Sequence, residues 1–358
     1  MKKRLGFMLS IVLMFALVLS ACGGGSKTNN GASGTNASAS PEASAAPEES
    51  AAAGAKLKIG MVTDVGGVND KSFNQSAWEG LQKVTKDTGS ETKYLESKGD
   101  ADMEPNLRAF VSEKYDMTWG VGFLFQDAMG KVAKDNPDSK FGIIDSAVDA
   151  PNVVSVNFAA NEGSFLVGVV AGLTTKSNKI GFVGGMEIPS VTVFEAGFNA
   201  GVKAVNPDAK ISRNYTGEFG KPDLGKAAAA VMYNDGVDVI FQVAGGTGNG
   251  VFNEATARKK AGQDVWVIGV DKDQSIEFGN EVTLTSMLKG VEAAIYQVST
   301  DLINGKWEGG KSVVLGLKDG AVGLPENNPN ISEDIMKKVE EYKQQIISGS
   351  LVVPTEVK

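Results

Sequence analysis

The chain contains no histidine among its 358 residues. This absence removes the usual general base at neutral pH, the Ser-His and Cys-His nucleophile pairs, and the commonest transition-metal ligand. Catalysis by carboxylates or lysine stays open, but binding is the favoured class of function. We therefore predict that the protein is not an enzyme and that it uses no metal and no cofactor.

Cysteine is almost as scarce, since Cys22 is the only one. A single thiol excludes an intramolecular disulfide framework, so the fold must depend on its hydrophobic core. Cys22 follows Leu-Ser-Ala at the end of a basic start (residues 2–4) and an apolar segment (residues 5–19). This pattern is typical of a lipoprotein signal peptide, in which the cysteine is acylated, for example with palmitate, and becomes the mature N-terminus.

The apolar segment is shorter than the roughly 20 residues that a membrane-spanning helix needs. An ordinary signal peptide or a short anchor with an incidental cysteine is the alternative. We predict a signal peptide over residues 1–21, followed over residues 22–55 by the lipidated Cys22 and a disordered tether poor in large apolar side chains. The body of the protein would then lie on the extracytoplasmic face of the cell membrane, held there by lipid.

Basic residues are outnumbered, with 35 Lys and Arg against 43 Asp and Glu and a net charge of −8. Removal of residues 1–21, which include three basic and no acidic residues, changes the net charge to −11. No stripe of Lys and Arg is present that would follow a phosphate backbone. We therefore predict no nucleic-acid partner.

Short β-branched runs alternate with amphipathic stretches from residue 56 onward, a pattern typical of parallel sheets covered by helices. Predicted strands are 57–62, 92–95, 117–122, 141–144, 153–158, 179–183, 210–214, 237–243, 265–270 and 283–288. Predicted helices include 72–86, 161–175, 191–205, 224–233, 250–261, 291–303 and, capped by Ser332, 332–348.

Ten strands are more economically divided between two sheets than placed in one. We predict that the chain crosses between two α/β lobes near residues 158–164, again near 281–289, and a third time within 316–325. The N-terminal lobe would comprise residues 56–160 and about 287–320, and the C-terminal lobe 161–286 and about 321–358. Several such crossings form a hinge beside a cleft, which suits a receptor that closes on its ligand.

Polar residues follow many of the predicted strands, at the sheet edge where open parallel sheets bind ligands. Carboxylates there suit the hydroxyl groups of a neutral polyol, and their excess of negative charge disfavours an anion. Phenylalanines in or beside the same loops offer flat faces for a sugar or a purine ring. These residues are Asp64, Asp127, Asp145, Asp271, Lys289, Phe73, Phe125 and Phe194.

Each of these residues also has a purely structural explanation. An aspartate at a strand-to-helix turn is commonly a helix cap. Phe125 and Phe194 could both belong to the core, which is the better interpretation for Phe125, and Lys289 could be a surface ion-pair partner. The clustering of these residues at strand ends is what favours a binding site.

A glycine-rich run over residues 244–250 follows a strand and precedes a helix. It lacks the Gly-Lys-Ser/Thr ending of a phosphate loop and the spacing of a dinucleotide-binding turn. We expect instead that a neutral ligand approaches the backbone at Gly245.

Five segments resemble the basic membrane protein family of ABC-transporter substrate-binding lipoproteins, whose best-understood members are purine nucleoside receptors. The segments are DVGGVNDKSFNQSAWEG (64–80), GFLFQDA (122–128), FEAGFNAG (194–201), GVDKDQ (269–274) and TSMLK (285–289). The resemblance implies a two-lobed, periplasmic-binding-protein-like (type I) α/β fold. It also implies a monomer that captures a nucleoside and delivers it to a membrane permease. We expect the ATPase and the permease to be separate chains, because the sequence shows no nucleotide loop and no further spanning segment.

The resemblance further implies a role for each ligand-binding residue. These are Asp64 and Asp127 at the polar edges of the base, Phe73 and Phe194 on its two faces, and Asp271, Lys289 and the backbone near Gly245 around the ribose. Some relatives carry acidic residues where this chain has Val-Asn-Asp (68–70), so the base preference is open. The alternatives are a sugar or autoinducer receptor of the same fold, a sensing partner of a membrane signalling protein, and a secreted nucleoside hydrolase.

Overall fold

The structure is a computed structural model that describes residues 56–357. The predicted signal peptide, Cys22 and the tether lie outside the described residues. Twelve strands are present within this range: Lys58–Thr63 (β1), Glu91–Glu96 (β2), Met117–Val121 (β3), Lys140–Ile144 (β4), Val153–Phe158 (β5), Lys179–Gly184 (β6), Lys210–Tyr215 (β7), Val239–Val243 (β8), Trp266–Asp271 (β9), Thr283–Lys289 (β10), Ser312–Leu315 (β11) and Val322–Gly323 (β12).

Helices alternate with these strands. Within the described range they are Phe73–Thr88 (α1), Asp100–Ser112 (α2), Gln126–Asp135 (α3), Ala160–Thr174 (α4), Pro189–Val205 (α5), Pro222–Asn234 (α6), Gly248–Lys260 (α7), Ser275–Phe278 (α8), Val291–Ile303 (α9) and Glu333–Ile347 (α10). The Ser332 hydroxyl caps α10 by accepting from the Ile335 amide, as predicted. No helix in this part of the chain is long and apolar enough to cross a membrane.

The strands form two six-stranded sheets. The first has the order β2-β1-β3-β4-β5-β11 and is parallel throughout, while the second has the order β7-β6-β8-β9-β10-β12. All pairs in the second sheet are parallel except β10 with β12, which is antiparallel. Central strands such as β3 and β8 are buried along their whole length, as expected when helices cover both faces of a parallel sheet. The predicted α/β fold class is confirmed.

The ten predicted strands correspond to β1–β10, whereas β11 and β12 were not predicted. β11 is a mostly exposed edge strand, and β12 has only two residues, so neither shows a buried apolar pattern. The chain passes from the first sheet to the second after β5, back after β10, and to the second sheet again after β11. The predicted return near residue 287 is therefore a few residues early, because β10 belongs to the second sheet as far as Lys289.

Helices α4 and α5 cross at very short range. Gly197 and Gly201 on α5 face the backbone of α4 so closely that a Cβ at either position would collide with the carbonyl of Asn161 or Phe165. This close packing anchors α5 against α4, which is buried along almost its whole length. The N-terminal part of α5 is thereby held beside the carboxyl ends of the strands, where Phe194 lies.

Candidate functional site

A cavity of about 540 Å³, including space open to solvent, lies where the carboxyl ends of strands from both sheets face each other. Six of the seven ligand-binding residues predicted from the sequence line it: Asp64, Phe73, Phe194, Gly245, Asp271 and Lys289. Asp70, Asn74 and Asp145 are also in the lining.

Asp127 is the exception, because it is exposed in the first turn of α3 and does not line the cavity. A short 3-10 turn, Phe123–Phe125, separates β3 from α3 and carries Asp127 beyond the sheet edge. At that position its carboxylate complements the positive end of the helix dipole. Phe125 is completely buried in the core, as expected.

Lys289, the last residue of β10, is the centre of the cavity's charge network. Its ammonium donates to Asp145 Oδ2 at 2.6 Å and lies 3.2 Å from Asp271 Oδ1. The Lys289 side chain is only 4% exposed. Burial alone would lower the pKa of Lys289, but the two carboxylates outweigh it and raise the pKa, so the ammonium stays charged.

Asp145 and Asp271 both adopt left-handed backbone conformations, with φ of 59° and 66°. Non-glycine residues rarely adopt positive φ, and such strain concentrates at functional sites. The two aspartates follow or end parallel strands of different sheets, β4 and β9. The strained turns therefore aim one carboxylate from each sheet at the same lysine.

Two phenylalanine rings flank this charge network. The Lys289 ammonium lies 4.4 Å from the ring centroid of Phe73 and 5.3 Å from that of Phe194. Phe73 begins α1 and Phe194 belongs to α5, so the rings come from helices associated with different sheets. Gly245, with φ of 53°, exposes backbone at another part of the same wall.

Asn74 connects two buried carboxylates beside Phe73. Its amide donates to Asp64 Oδ1 at 2.7 Å and to Asp70 Oδ2 at 3.2 Å. Among the described residues, no partner lies within hydrogen-bond distance of Asn74 Oδ1, although this atom is buried. A buried acceptor in a cavity wall is suited to a ligand donor. Sequence reasoning missed Asn74, although it directly follows Phe73 in the resembling segment.

The loop before α1 joins the two sides of the cavity. Ser72 Oγ donates to Asp271 Oδ2 at 2.5 Å, and the Gln274 amide donates to the Lys71 carbonyl at 3.0 Å. Nearby, the Lys272 ammonium lies 2.6 Å from Glu79 Oε1. These contacts tie α1 and the loop before it to the end of β9 and the loop that follows β9.

Carboxylates exceed cations in the lining, with Asp64, Asp70, Asp145 and Asp271 against Lys289. The arrangement therefore favours neutral ligands with hydroxyl and amine donors over anions. Within residues 56–357, no group of three or more acidic or cysteine side chains is arranged to hold a metal ion.

The sequence profile of the Bmp family, described as ABC transporter substrate-binding protein PnrA-like, matches residues 57–356. The chain belongs to this family. The predicted resemblance to basic membrane proteins is thus confirmed, and the Bmp protein is a substrate-binding protein of an ABC transporter.

Relatives of the Bmp protein extend over most of its length. The CD4+ T-cell-stimulating antigen of Listeria monocytogenes is 46% identical across 99% of this chain and 99% of its own. The ABC transporter nucleoside-binding protein BmpA of Lactococcus lactis is 42% identical across 82% of this chain and 88% of its own. An ABC transporter solute-binding protein from Aeropyrum pernix K1 is similar in structure, with a TM-score of 0.77, 32% identity, and coverage of 83% of this chain and 94% of that one.

Asp70 gives the Bmp protein a testable pH dependence. Burial raises its pKa from 3.8 to about 7, although the amides of Asn74, Gln75 and Ser72 donate to its carboxylate. Because the pKa is higher in the folded state, Asp70 contributes stability that is fully present below pH 3.8 and is lost as the pH rises through 7. The chain has no histidine to titrate in the upper part of this window.

We expect the free energy of unfolding to carry a contribution from Asp70 that falls by up to about 1.4 kcal/mol per pH unit between its two pKa values. Urea unfolding from pH 4 to pH 8 measures it. The Asp70→Asn variant should show a flatter profile than the unsubstituted protein. Parallel profiles would contradict the assignment.

Proposed function

We propose that the Bmp protein is a lipid-anchored extracytoplasmic receptor that captures a purine nucleoside and delivers it to the permease of its ABC transporter, without covalent chemistry. The observation that carries this proposal is the juxtaposition of two phenylalanine rings with carboxylates from both sheets around one buried lysine. The name of the Lactococcus lactis relative, a nucleoside-binding protein, supports the same ligand class.

The base would lie between Phe73 and Phe194, since aromatic rings stack on the flat faces of bases. Asp64 and the side-chain oxygen of Asn74, which has no described partner, would face donor groups on the edge of the base. Asn74 would thus take the role that was predicted from the sequence for Asp127. Asp271 would accept from ribose hydroxyls, with Lys289 and the backbone at Gly245 completing the sugar end. Hydrogen bonds to charged groups are worth about 1.5–3 kcal/mol each, so the carboxylates would supply much of the affinity.

Hinge closure would assemble this site from two halves. Two features support a closed arrangement in which the two sheet edges share one ligand. They are the positive φ of Asp145 and Asp271, and the contacts from Ser72 to Asp271 at the end of β9 and from Lys71 to the loop after it. The chain crosses three times between the sheets, and these crossings would act as the hinge. Opening would separate these contacts and release the nucleoside at the permease.

A thermal-shift titration tests the ligand class. The soluble mature chain, which begins at residue 22 and carries Cys22→Ser, is titrated with guanosine, inosine, adenosine, cytidine, uridine and free ribose. A ligand at 100 times its Kd should add about 2.7 kcal/mol of stability. We expect a shift with purine nucleosides and none with ribose. A shift with ribose alone would support a sugar receptor, and no shift with any of them would contradict the proposal.

Phe73→Ala is expected to weaken purine nucleoside binding by about 1–3 kcal/mol, the range found for base–aromatic stacking. Calorimetric titration of the soluble mature chain measures the loss. Phe73→Leu is the matched variant, since it keeps apolar volume without a ring and should recover only part of the affinity. Equal affinity in the leucine variant and the unsubstituted chain would show that Phe73 contributes packing rather than stacking.

Cys22→Ser is expected to release the protein from the membrane, because the variant lacks the thiol that would carry lipid. Detergent phase partitioning of cell extracts separates the two forms. The unsubstituted protein should enter the detergent phase and the variant the aqueous phase. Detergent partitioning of both would point to a retained apolar segment as the anchor.

A further inference from the structure

Two loops from different sheets meet beside the cavity. One follows β1 in the first sheet and comprises residues 64–72, and the other follows β7 in the second sheet and comprises residues 216–221. We call them the β1 loop and the β7 loop. The cavity lining includes Asp64 and Asp70 from the β1 loop and Phe219 from the β7 loop, so both loops border the proposed nucleoside site.

Gly220 of the β7 loop lies very close to the β1 loop. A Cβ at position 220 would lie 2.5 Å from the carbonyl oxygen of Val65, whereas real Cβ atoms essentially never come within 3.0 Å of another heavy atom. The contacted atom belongs to the backbone, so no side-chain rotation would relieve the clash. Gly220 is not among the glycines with positive φ, so alanine can adopt its backbone conformation. The contact with Val65, and not the local turn, therefore requires glycine at position 220.

Further contacts join the β1 loop to the segment after β8 in the second sheet. The side-chain amide of Asn249, in the first turn of α7, donates to the Asp70 carbonyl at 3.2 Å. A Cβ at Gly246 would lie 3.6 Å from the Gly66 carbonyl oxygen and 3.6 Å from the Asp70 Cβ, which is ordinary van der Waals contact. The β1 loop thus touches the segments that follow two neighbouring stretches of the second sheet.

The β7 loop is fixed to its own side of the cavity. The Gly217 amide donates to the Gly185 carbonyl at 3.0 Å, and the Thr247 amide donates to the Phe219 carbonyl at 2.8 Å. The Lys221 amide also donates to Thr247 Oγ1 at 2.8 Å. Because hydrogen bonds hold the loop on both sides of position 220, the loop cannot easily move aside for a new side chain.

The β1 loop is fixed to the first sheet in the same way. The Gly66 amide donates to Asp64 Oδ1 at 2.9 Å. The Val68 amide donates to Oε1 of Glu96, the last residue of β2, at 2.8 Å. With both loops anchored, a side chain at Gly220 would push the two sheet edges apart instead of displacing one loop.

We propose that Gly220 is a positioning residue for nucleoside capture, because its missing side chain allows the β7 loop to reach the β1 loop when the two sheet edges close. Gly220 is exposed on its other side and does not itself line the cavity, so it acts at the rim and not on the ligand. A side chain there would leave the cavity partly open and let the nucleoside dissociate faster. This inference rests on the proposed hinge closure around a nucleoside.

Calorimetric titration of the soluble mature chain with purine nucleosides measures the effect on affinity. Gly220→Ala should weaken binding by about tenfold, the effect of a methyl group forced into a close contact, and Gly220→Val should weaken it further. Stopped-flow kinetics should assign the loss mainly to faster dissociation. Asn249→Ala removes the hydrogen bond to the Asp70 carbonyl and should weaken binding by about fivefold in the same way.

Gly99→Ala is the matched control. Gly99 also lacks positive φ, with φ of −172°, and it precedes α2 outside the two loops. A Cβ at this position would have no described atom within 4 Å apart from its chain neighbours. The control should bind nucleosides as tightly as the unsubstituted chain. Thermal melts without ligand should be similar for the Gly220 variants and the control, because the side chain at position 220 matters only when the loops meet.

Closure itself is measured by the distance between two spin labels. Cys22 is the only cysteine, so the soluble mature chain can be labelled specifically after Ala101→Cys on α2 and Ala227→Cys on α6. Both positions are exposed, and the two helices follow β2 and β7 of different sheets. The distance should shorten when a saturating purine nucleoside is added. With Gly220→Val in the same chain, it should shorten less even at saturation.

The outcomes separate this inference from the proposed function. Weaker binding by the Gly220 variants with full shortening of the distance would show that the substitution acts through its neighbour Phe219 in the cavity lining, and would overturn the inference. Unchanged affinity in Gly220→Val, or a large loss of stability without ligand, would also overturn it. Nucleoside binding without any shortening in the unsubstituted chain would overturn hinge closure and this inference but keep the ligand class. Absence of binding by every purine nucleoside would overturn the proposed function and this inference with it.

Discussion

Replacement of Asp271 by asparagine is expected to weaken purine nucleoside binding by about 2–5 kcal/mol, the usual cost of truncating one partner of a buried hydrogen-bonded charge pair. The Asp271 carboxylate accepts from Ser72 Oγ and lies beside the Lys289 ammonium. Asparagine keeps the shape of the side chain and tolerates the positive φ of 66°. The loss should therefore reflect the missing charge, and calorimetric titration measures it.

Asp127→Asn is the matched control for this prediction. Asp127 is exposed and lines no part of the cavity, so the substitution should leave nucleoside affinity unchanged. Thermal melts of both variants without ligand show whether the fold persists. Unchanged affinity in Asp271→Asn would refute the ribose assignment. A comparable loss in Asp127→Asn would restore the role that the sequence assigned to that residue.

Replacement of Lys289 by methionine is expected to lower the free energy of unfolding by about 3–5 kcal/mol and to abolish nucleoside binding. The substitution leaves Asp145 and Asp271 buried beside each other without their cation, and an uncompensated buried charge has this cost. Urea unfolding measures the loss. Lys338→Met is the matched control, since it breaks an ion pair of similar length on the surface and should change stability little.

A second substitution distinguishes lost charge from lost packing at position 289. In the double variant Lys289→Met with Asp145→Asn, one of the two buried carboxylates that have lost their cation is removed. The double variant should therefore recover a substantial part of the free energy of unfolding. Nucleoside binding should stay weak, because the lysine is still absent. Failure of the second substitution to restore any stability would attribute the loss to the shape of the side chain.

The destabilisation caused by Lys289→Met should also depend on pH. Burial acts to raise the pKa of Asp145 above its ordinary value of 3.8, and without the ammonium little opposes it. A carboxyl group with a raised folded-state pKa contributes stability that is present at low pH and lost as the pH rises. The difference between the variant and the unsubstituted protein should therefore be smaller near pH 4 than at pH 7.

Much of the fold followed from local pattern in the sequence. The β-branched runs predicted β1–β10, and Ser332 predicted the start of α10, because burial periodicity and helix capping are properties of short segments. Edge strands β11 and β12 carry little buried apolar surface, so nothing local indicated them. Only the assembled sheets showed that β10 belongs to the second sheet as far as Lys289.

The candidate site divides in the same way. The sequence alone determined the absence of histidine and the excess of acidic residues. It also predicted that Asp64, Asp271 and Lys289 lie at strand ends, where parallel strands place such residues along one sheet edge. Which of them meet was decided by the tertiary structure. The 3-10 turn after β3 carries Asp127 away from the cavity. Packing of the two sheet edges brings Asp145 to Lys289, which lies 144 positions further along the chain. The same packing leaves the Ser146 hydroxyl without a described partner. Contacts between distant segments depend on how whole sheets pack, and no local pattern in the sequence records that geometry.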